Sequence, residues 1–164
     1  MKTIFLMTTI TMLSSFTTVP AREEISSSSA LGDRLVRCFQ HQSAEEFSAL
    51  LPTLDEFHQI MEENSAIYGE NLEEAKRDFD IHYNENIVRS ARASFDKVLQ
   101  DGSGRGIDWK AITFLKAQVE GPSNSFSSPL LITFASRGEV YKLRLRPAIV
   151  FHNHWRVTQH LELL

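Results

Sequence analysis

Apolar and polar residues alternate through the last third of the chain, from Pro129 to Leu164, and the pattern turns back on itself twice. Alternation of this kind is typical of strands that bury one face. If Arg137-Gly138 forms a two-residue hairpin loop, with Gly138 supplying a positive φ, Ser136 faces Glu139 and the apolar residues of both strands meet. The register then pairs Phe134 with Tyr141, Ile132 with Leu143 and Leu130 with Leu145, and it places Thr133 with Lys142 and Leu131 with Arg144 on the other face.

A second reversal is expected at His152-Asn153-His154, as a three-residue loop with Asn153 in a left-handed conformation. A two-residue loop at Asn153 would set Trp155 opposite Val150 and Ile149 opposite Arg156, which mixes the two faces, so we prefer three residues. Pro147 cannot donate to the ladder and predicts a bulge or a break. The preferred register pairs Phe151 with Trp155, Ile149 with Val157, Leu145 with Leu161 and Leu143 with Leu163.

The second face of these strands is polar and largely basic. In the predicted register Arg144 lies opposite Glu162, and Arg146 lies opposite His160. An antiparallel sheet often exposes one polar face, and basic residues discourage aggregation. The alternative is a surface that meets an acidic partner or a symmetric copy of the chain. The candidate binding residues are Lys142, Arg144, Arg146, Arg156 and His160.

Helical periodicity precedes the strands. We expect one helix from Leu31 to Gln40, and two more opened by capping boxes at Ser43 and Thr53, each with glutamate three residues later. Gly69 ends that region, and Asn71 caps a long helix that stops at Asp101-Gly102. The apolar stripe of the long helix has a period close to 3.6 and consists of Leu72, Ala75, Phe79, Tyr83, Ile87, Ala91, Phe95, Val98 and Leu99.

The order of elements predicts an α+β fold in which N-terminal helices, one of them long, pack on a curved four-stranded antiparallel sheet. The first strand is expected from Trp109 to Val119, with the alternate residues from Trp109 on one face, followed by a polar connection at 120–128. Residues 31–164 form one domain, helical over 31–101 and β over 107–164. We expect the long helix to fill the sheet, and the gap between them to hold Phe79, Tyr83, Phe95, Tyr141 and Trp155.

The first 21 residues resemble a secretory signal peptide. Lys2 provides the charged start, Ile4–Leu13 is an apolar run too short to span a bilayer, and Val19-Pro20-Ala21 offers small residues for cleavage. We therefore expect an exported, periplasmic or extracellular bacterial protein with a flexible leader at 22–30. No membrane span would remain after cleavage.

Charge is distributed unevenly. Residues 22–105 contain 17 acidic and 9 basic residues, net −8, whereas residues 106–164 contain 4 acidic and 7 basic residues, net +3. Neither half has the clustered positive excess of a nucleic-acid-binding protein. The single cysteine, Cys38, excludes an internal disulfide, and its apolar neighbours at helical spacing favour a buried residue over a catalytic thiol.

Three groups of residues could support chemistry. His152, His154 and His160 could bind a metal ion, but two of them fall in a predicted turn. Ser94 and Lys97 have the serine–lysine spacing of penicillin-binding enzymes without the companion motifs. Asp78, Asp80, His82 and Glu85 on the long helix could act as acid and base, but a solvated charged stripe is the simpler interpretation. We expect no cofactor and no metal site.

The chain resembles the cystatin-like α+β roll, in the broad sense that includes NTF2-like domains. The resemblance depends on Ile107-Asp108-Trp109, Gly138–Leu143 and Trp155-Arg156-Val157. It implies ligand or protein binding, and it carries over no acid–base residues. The sequence therefore predicts an exported, non-catalytic binding domain, with a possible homodimer through the sheet face. The alternative is an NTF2-like enzyme or small-ligand carrier with a pocket between the long helix and the sheet.

Overall fold

The helices of the chain pack against a curled antiparallel sheet, which confirms the predicted α+β fold. The computed structural model describes residues 24–121 and 127–164. The predicted signal segment, residues 1–21, lies outside the described residues, as do residues 122–126 of the predicted polar connection. Within the described ranges, no helix combines the length and the apolar character needed to cross a membrane.

The helical layer comes first in the chain. It consists of α1 (Ser28–His41), α2 (Ala44–Ser48), α3 (Leu54–Glu63), α4 (Ser65–Tyr68), a 3-10 turn (Gly69–Asn71), α5 (Leu72–His82), a π-helical segment (Tyr83–Arg89) and α6 (Ser90–Gly104). The run from α4 to α6 is the predicted long helix, and it begins earlier than expected, at Ser65. Asn71 consequently lies inside the helical run and makes no side-chain cap.

The sheet follows a second 3-10 turn, Trp109–Ala111. Its strands are β1 (Thr113–Val119), β2 (Ser127–Ser136), β3 (Glu139–Phe151), β4 (His154–Arg156) and β5 (Leu161–Leu163). The order is β1-β2-β3-β4, and β5 also pairs with β3. The predicted fourth strand is thus present in two short pieces that share one neighbour.

Three side-chain caps fix the starts of the first helices. The backbone N–H of Glu46 donates to Ser43 Oγ over 3.1 Å, and Thr53 and Glu56 form the complete reciprocal capping box. Helix α1 begins at Ser28 rather than Leu31, because Ser27 caps it. Ile25 is buried as well, so these residues of the predicted leader belong to the packed structure.

The first hairpin has the predicted register at every position. Ser136 pairs with Glu139, and Thr133 pairs with Lys142. Both loop residues, Arg137 and Gly138, have positive φ, of 52° and 86°. Two such residues match the right-handed twist of the flanking strands, which fixes which side chains face the helices.

The predicted three-residue loop of the second hairpin is wrong. His152 and Asn153 both have positive φ and form a two-residue loop, so Val150 pairs with Trp155 and Ile149 with Arg156. The register expected further along is nevertheless confirmed, because Leu145 pairs with Leu161 and Leu143 with Leu163. Between these two sets of pairs, the four residues 157–160 lie opposite the three residues 146–148. This one extra residue accounts for the difference between the two registers. The irregularity coincides with Pro147, where β2 and β3 also shift register, as predicted.

Strand β1 contains a bulge that the sequence pattern did not predict. The register shifts between Phe114 and Lys116, so Leu115 is an extra residue and lies exposed. Phe114 therefore faces the core in place of Thr113 and Leu115. Gly32 of α1 lies so close that an added Cβ would come within 2.8 Å of the Phe114 ring.

A stack of six aromatic rings fills the space between the helices and the sheet. Neighbouring ring centroids lie 4.5 to 5.9 Å apart along the stack. Of the segments that make up the long helix, α6 is the one that contributes buried residues to the core. The stack runs in the order Phe47, Phe95, Phe39, Trp109, Phe134 and Tyr141.

The predicted core position of Phe79 and Tyr83 is wrong. Both pack with Phe57 in a separate cluster between α3 and α5, with centroid distances of 4.7 to 6.2 Å. The π-helical segment separates this part of the long helix from α6, whose buried residues include Phe95. Phe95, Tyr141 and Trp155 do belong to the main core, as expected.

Candidate binding surface

The outer face of the sheet is the face turned away from the aromatic stack. Because successive side chains of a strand point to opposite sides, the buried Ile132 and Phe134 place Thr133 on the outer face. Its cross-strand partners Lys116 and Lys142 are on the same face. Of the predicted binding residues, Lys142, Arg146 and His160 are exposed.

Arg144 lies on this face but is already neutralised. Its Nε donates to Glu120 over 2.9 Å, and its Nη1 donates to Glu162 over 3.3 Å. The hydrogen bond to Glu120 is the main reason that the pKa of the Arg144 guanidinium is raised above its ordinary value, and Glu162 adds to the effect. Arg144 is one cation between two carboxylates, so this group as a whole carries a net negative charge.

Arg156 does not belong to the open surface, which corrects the sequence-based assignment. Its guanidinium contacts Glu56 of α3 through three N–O distances of 2.7, 3.0 and 3.3 Å, and only 7% of the side chain is exposed. Trp155 packs against the core, so the adjacent Arg156 points to the opposite side of β4, where α3 covers it. The two-residue hairpin loop and a partly buried carboxylate partner together explain the placement.

Lys116, Thr133 and Lys142 form a row across β1, β2 and β3, which we call the lysine row. Thr133 is 5% exposed, and its Oγ1 is shielded from solvent without any hydrogen-bond partner. In the part of the chain that the structure describes, no carboxylate lies within 4.0 Å of either lysine ammonium. The row therefore combines two unpaired cations with one unsatisfied hydroxyl.

The pairing of Thr133 with Lys142 follows from the predicted register, whereas the place of Lys116 does not. The bulge at Leu115 shifts β1 by one residue and brings Lys116 opposite Thr133. The alternation of apolar and polar residues places the even-numbered residues after Trp109 on one face of β1. It does not determine which residues of β2 lie opposite them. No sequence signal marked Glu56 as the partner of Arg156 either.

The chain matches no family model, and no curated protein or solved structure matches it. The assignment of a function therefore depends on the geometry of the described residues.

Most of the histidines and carboxylates that could support chemistry lie in separate surface ion pairs. His58 Nε2 lies 2.6 Å from Asp80, and His82 lies 3.6 Å from Asp78. His152 lies 2.7 Å from Glu63 at the end of α3. Among the described residues, no group of three possible metal ligands converges. Two of these pairs join different elements, whereas His82 and Asp78 lie one turn apart on α5.

Ser94 and Lys97 serve separate structural contacts. The backbone N–H of Leu161 donates to Ser94 Oγ over 2.9 Å, which attaches α6 to β5. Lys97 Nζ lies 2.6 Å from Asp101, one helical turn further on. Neither arrangement activates the serine hydroxyl as a nucleophile, because Lys97 is directed to a carboxylate.

A cleft of about 290 Å³ lies between α1 and α2. Burial raises the pKa of the Cys38 thiol to about 12, and the charge of Glu46 adds to the shift. The thiol is thus protonated and unreactive near neutral pH. Three of the ionisable lining residues are already in pairs, since His41 lies 2.9 Å from Glu46, and Arg37 lies 2.8 Å from Asp33. The cleft is lined by Arg34, Arg37, Cys38, His41, Glu46 and Ala49.

Proposed function

We propose that the chain is a non-catalytic binding domain, exported and of the cystatin-like or NTF2-like type, that engages an acidic protein through the outer face of its sheet. The observation that carries the proposal is the aromatic stack from Phe47 to Tyr141, which occupies the interior. An enzyme or carrier of NTF2-like type needs a cavity of about 300 to 1,000 Å³ with convergent polar groups. The residues named for acid–base chemistry, Asp78, His82 and Glu85, are exposed on the helical surface instead.

The acidic character of the partner follows from the charges left over on the outer face. The group of Arg144 and its two carboxylates is net negative, but Lys116, Lys142 and Arg146 are exposed and leave the face with a net positive charge. Three cations on one face attract an acidic surface and orient its approach. Exposed apolar side chains, Val140 at 61% and Leu115 at 49%, lie beside them. A mixed surface of this kind suits a protein better than a nucleic acid, which would require more positive charge.

The test is to map binding on the whole purified chain by NMR. A labelled oligoglutamate peptide should perturb the amide signals of β1, β2 and β3 at low salt, and the perturbation should weaken as salt is raised. An oligolysine peptide of equal length is the control and should leave these signals unchanged. Perturbation confined to the α1–α2 cleft, or equal effects of both peptides, would contradict the proposed surface.

A homodimer through the sheet face is the second form of the same proposal. The helices carry the acidic excess and the sheet the basic excess, so a copy of the chain could supply the acidic surface. Sedimentation equilibrium of the peptide-free chain distinguishes the two. A monomer at micromolar concentration supports a separate partner, and a dimer that dissociates when Lys142 and Arg146 are changed to glutamate favours self-association.

A further inference from the structure

We propose that the outer edge of β1 pairs with the same edge of a second copy of the chain, in one antiparallel register that joins the two sheets. This contact goes beyond the proposed function, because it uses the edge of the sheet rather than its outer face. Three observations support it: the edge is uncovered, two of its residues direct their backbone groups outward, and its sequence is complementary to itself when reversed.

The two edges of the sheet differ in what covers them. At the β4 edge, the backbone N–H of Trp155 donates to the carbonyl of Ile25 over 2.7 Å, and that of Val157 donates to the carbonyl of Leu50 over 3.0 Å. Helix α6 packs along β5 in the same part of the sheet. Strand β1 ends the strand order on the other side, and among the described residues it pairs with β2 alone. An edge with unpaired N–H and C=O groups is a template for another strand.

The ladder between β1 and β2 determines which residues of β1 face outward. The backbone N–H of Glu120 donates to the carbonyl of Pro129 over 2.9 Å, so this pair is hydrogen-bonded. Hydrogen-bonded and non-hydrogen-bonded pairs alternate along an antiparallel ladder. Gln118 therefore bonds to β2, whereas Val119 and Ala117 direct their N–H and C=O groups away from it, toward the open side.

The first hairpin gives the same assignment independently. A two-residue loop is closed by a hydrogen-bonded pair, which here is Ser136 and Glu139. Counted by alternation from Ser136, Leu131 directs its backbone groups toward β1. Its partner Gln118 consequently bonds to β2, and both neighbours of Gln118 face outward.

The sequence of this edge reads Lys-Ala-Gln-Val-Glu from Lys116 to Glu120 and complements itself in the antiparallel direction. If Ala117 lies opposite Val119 of the copy, both outward-facing residues exchange backbone hydrogen bonds with the copy. In the same register Gln118 lies opposite itself, and Lys116 lies opposite Glu120 of the copy. A shift by two residues, the smallest that keeps the same groups outward, sets Ala117 or Val119 opposite itself and separates the two charges.

Charge favours this register. Lys116 is exposed, and Glu120 belongs with Arg144 and Glu162 to a group that is net negative. Lys116 of one copy would therefore meet an excess of negative charge on the other. A lysine on an edge normally discourages pairing, but here the glutamate four residues later makes one pairing favourable. Residues in such a non-hydrogen-bonded pair lie close, with Cα atoms about 4.5 Å apart.

The inner side of the edge fits the same register. Val119 is 44% exposed, and it would lie opposite the half-buried Ala117 of the copy. Cross-strand apolar pairs stabilise a sheet, so the contact would remove an exposed apolar side chain from water.

The first test exchanges charges in the whole purified chain and uses sedimentation equilibrium from micromolar to millimolar concentration. The wild type should show a monomer–dimer equilibrium. Lys116→Glu and Glu120→Lys should each weaken the dimer about tenfold or more, because like charges then lie opposite each other. An equimolar mixture of the two variants should associate again, because the introduced charges are complementary. Lys142→Glu is the control, since it makes the same charge change on the same face away from the edge, and it should leave the dimer nearly unchanged.

The second test uses proline to separate pairing from folding. Val119→Pro removes an outward N–H and no hydrogen bond to β2, so it should abolish the dimer while the urea midpoint stays near that of the wild type. Gln118→Pro removes an N–H that bonds to β2 and should lower the urea midpoint. If Val119→Pro lowers the midpoint as much as Gln118→Pro does, the assigned direction of the backbone groups is wrong and the inference is overturned.

The remaining outcomes distinguish this inference from the proposed function. A wild type that stays monomeric up to millimolar concentration overturns the edge pairing, whether or not oligoglutamate binds. A mixture of the two charge variants that stays monomeric overturns it as well. A dimer that withstands Val119→Pro but dissociates when Lys142 and Arg146 are changed to glutamate is the sheet-face dimer instead. If the edge dimer behaves as expected and oligoglutamate does not bind, the inference holds and the proposed function fails.

Discussion

The ion pair between Arg156 and Glu56 provides the strongest prediction for stability. Among the described residues, Arg156 is the one buried charged residue, and it approaches Glu56 of α3 to 2.7 Å. Changing Arg156 to methionine keeps most of the volume but leaves the Glu56 carboxylate partly buried without its cation. Removal of one partner from a buried pair costs about 3 to 5 kcal/mol. Because 21% of the Glu56 side chain is exposed, we expect a loss near the lower limit, about 3 kcal/mol.

Glu56 has a second role that makes the two partners unequal. Its Oε2 accepts a hydrogen bond from the Thr53 backbone N–H over 2.7 Å, which completes the capping box of α3. Glu56→Gln removes the charge but retains an acceptor that serves in such boxes. Glu56→Ala removes both, and it should cost about 1 kcal/mol more than Glu56→Gln, the contribution of a helix cap.

The assay is urea denaturation followed by tryptophan fluorescence and far-UV circular dichroism. A stability change appears as a shifted midpoint at constant slope. Lys97→Met is the control, because Lys97 forms an exposed pair with Asp101, and it should change the free energy of unfolding by less than about 0.5 kcal/mol. If Arg156→Met lies within about 1 kcal/mol of the wild type, the pair is solvated and the reasoning is wrong.

Three further predictions concern packing, protonation and the second hairpin. Gly102→Ala should destabilise the fold by about 1 to 3 kcal/mol, because the new Cβ would lie 2.1 Å from the Trp109 ring, whereas Gly104→Ala meets nothing and should be neutral in the same urea assay. Since the pKa of the Cys38 thiol is raised from 9.0 to about 12, the unfolded chain loses this proton first as pH rises. Stability should therefore fall above about pH 9, and the Cys38→Ala variant should lack this part of the fall; an equal slope in both proteins would contradict the burial argument. Asn153 has a φ of 65°, so Asn153→Val should lower the thermal midpoint by an amount that corresponds to about 1 to 2 kcal/mol, and no change would show that the loop is not held in this conformation.

The first hairpin could be predicted in full because two independent signals agreed. The first signal was Gly138, which indicates a tight turn. The second was the apolar pattern, because only one register brings Ile132 and Leu143 to the same face. The three-residue loop predicted for the second hairpin is wrong because the prediction assumed that apolar and charged residues never share a face of the sheet. Arg156 is tolerated within a packed layer because Glu56 neutralises it, and that partner is 100 residues away in the sequence.

The candidate surface could be predicted in part for a similar reason. Lys142, Arg146 and His160 are exposed as alternation required, since each is local to its strand. The position of Lys116 opposite Thr133 depends on the bulge at Leu115, and no Gly or Pro in the sequence indicates that bulge. The periodicity of the long helix was correct, but it could not tell that Phe79 packs on α3 while Phe95 packs on the sheet.

The π-helical segment Tyr83–Arg89 divides the long helix into two parts with different support. Helix α6 has four buried residues, whereas α5 has none and packs mainly on α3. Local opening requires less free energy where few apolar side chains are buried. Backbone amides of α5 should therefore exchange with deuterium well before those of α6, and the boundary between fast and slow exchange should fall within this segment. The long helix would thus behave as two cooperative units, one of which can open while the other keeps the sheet folded.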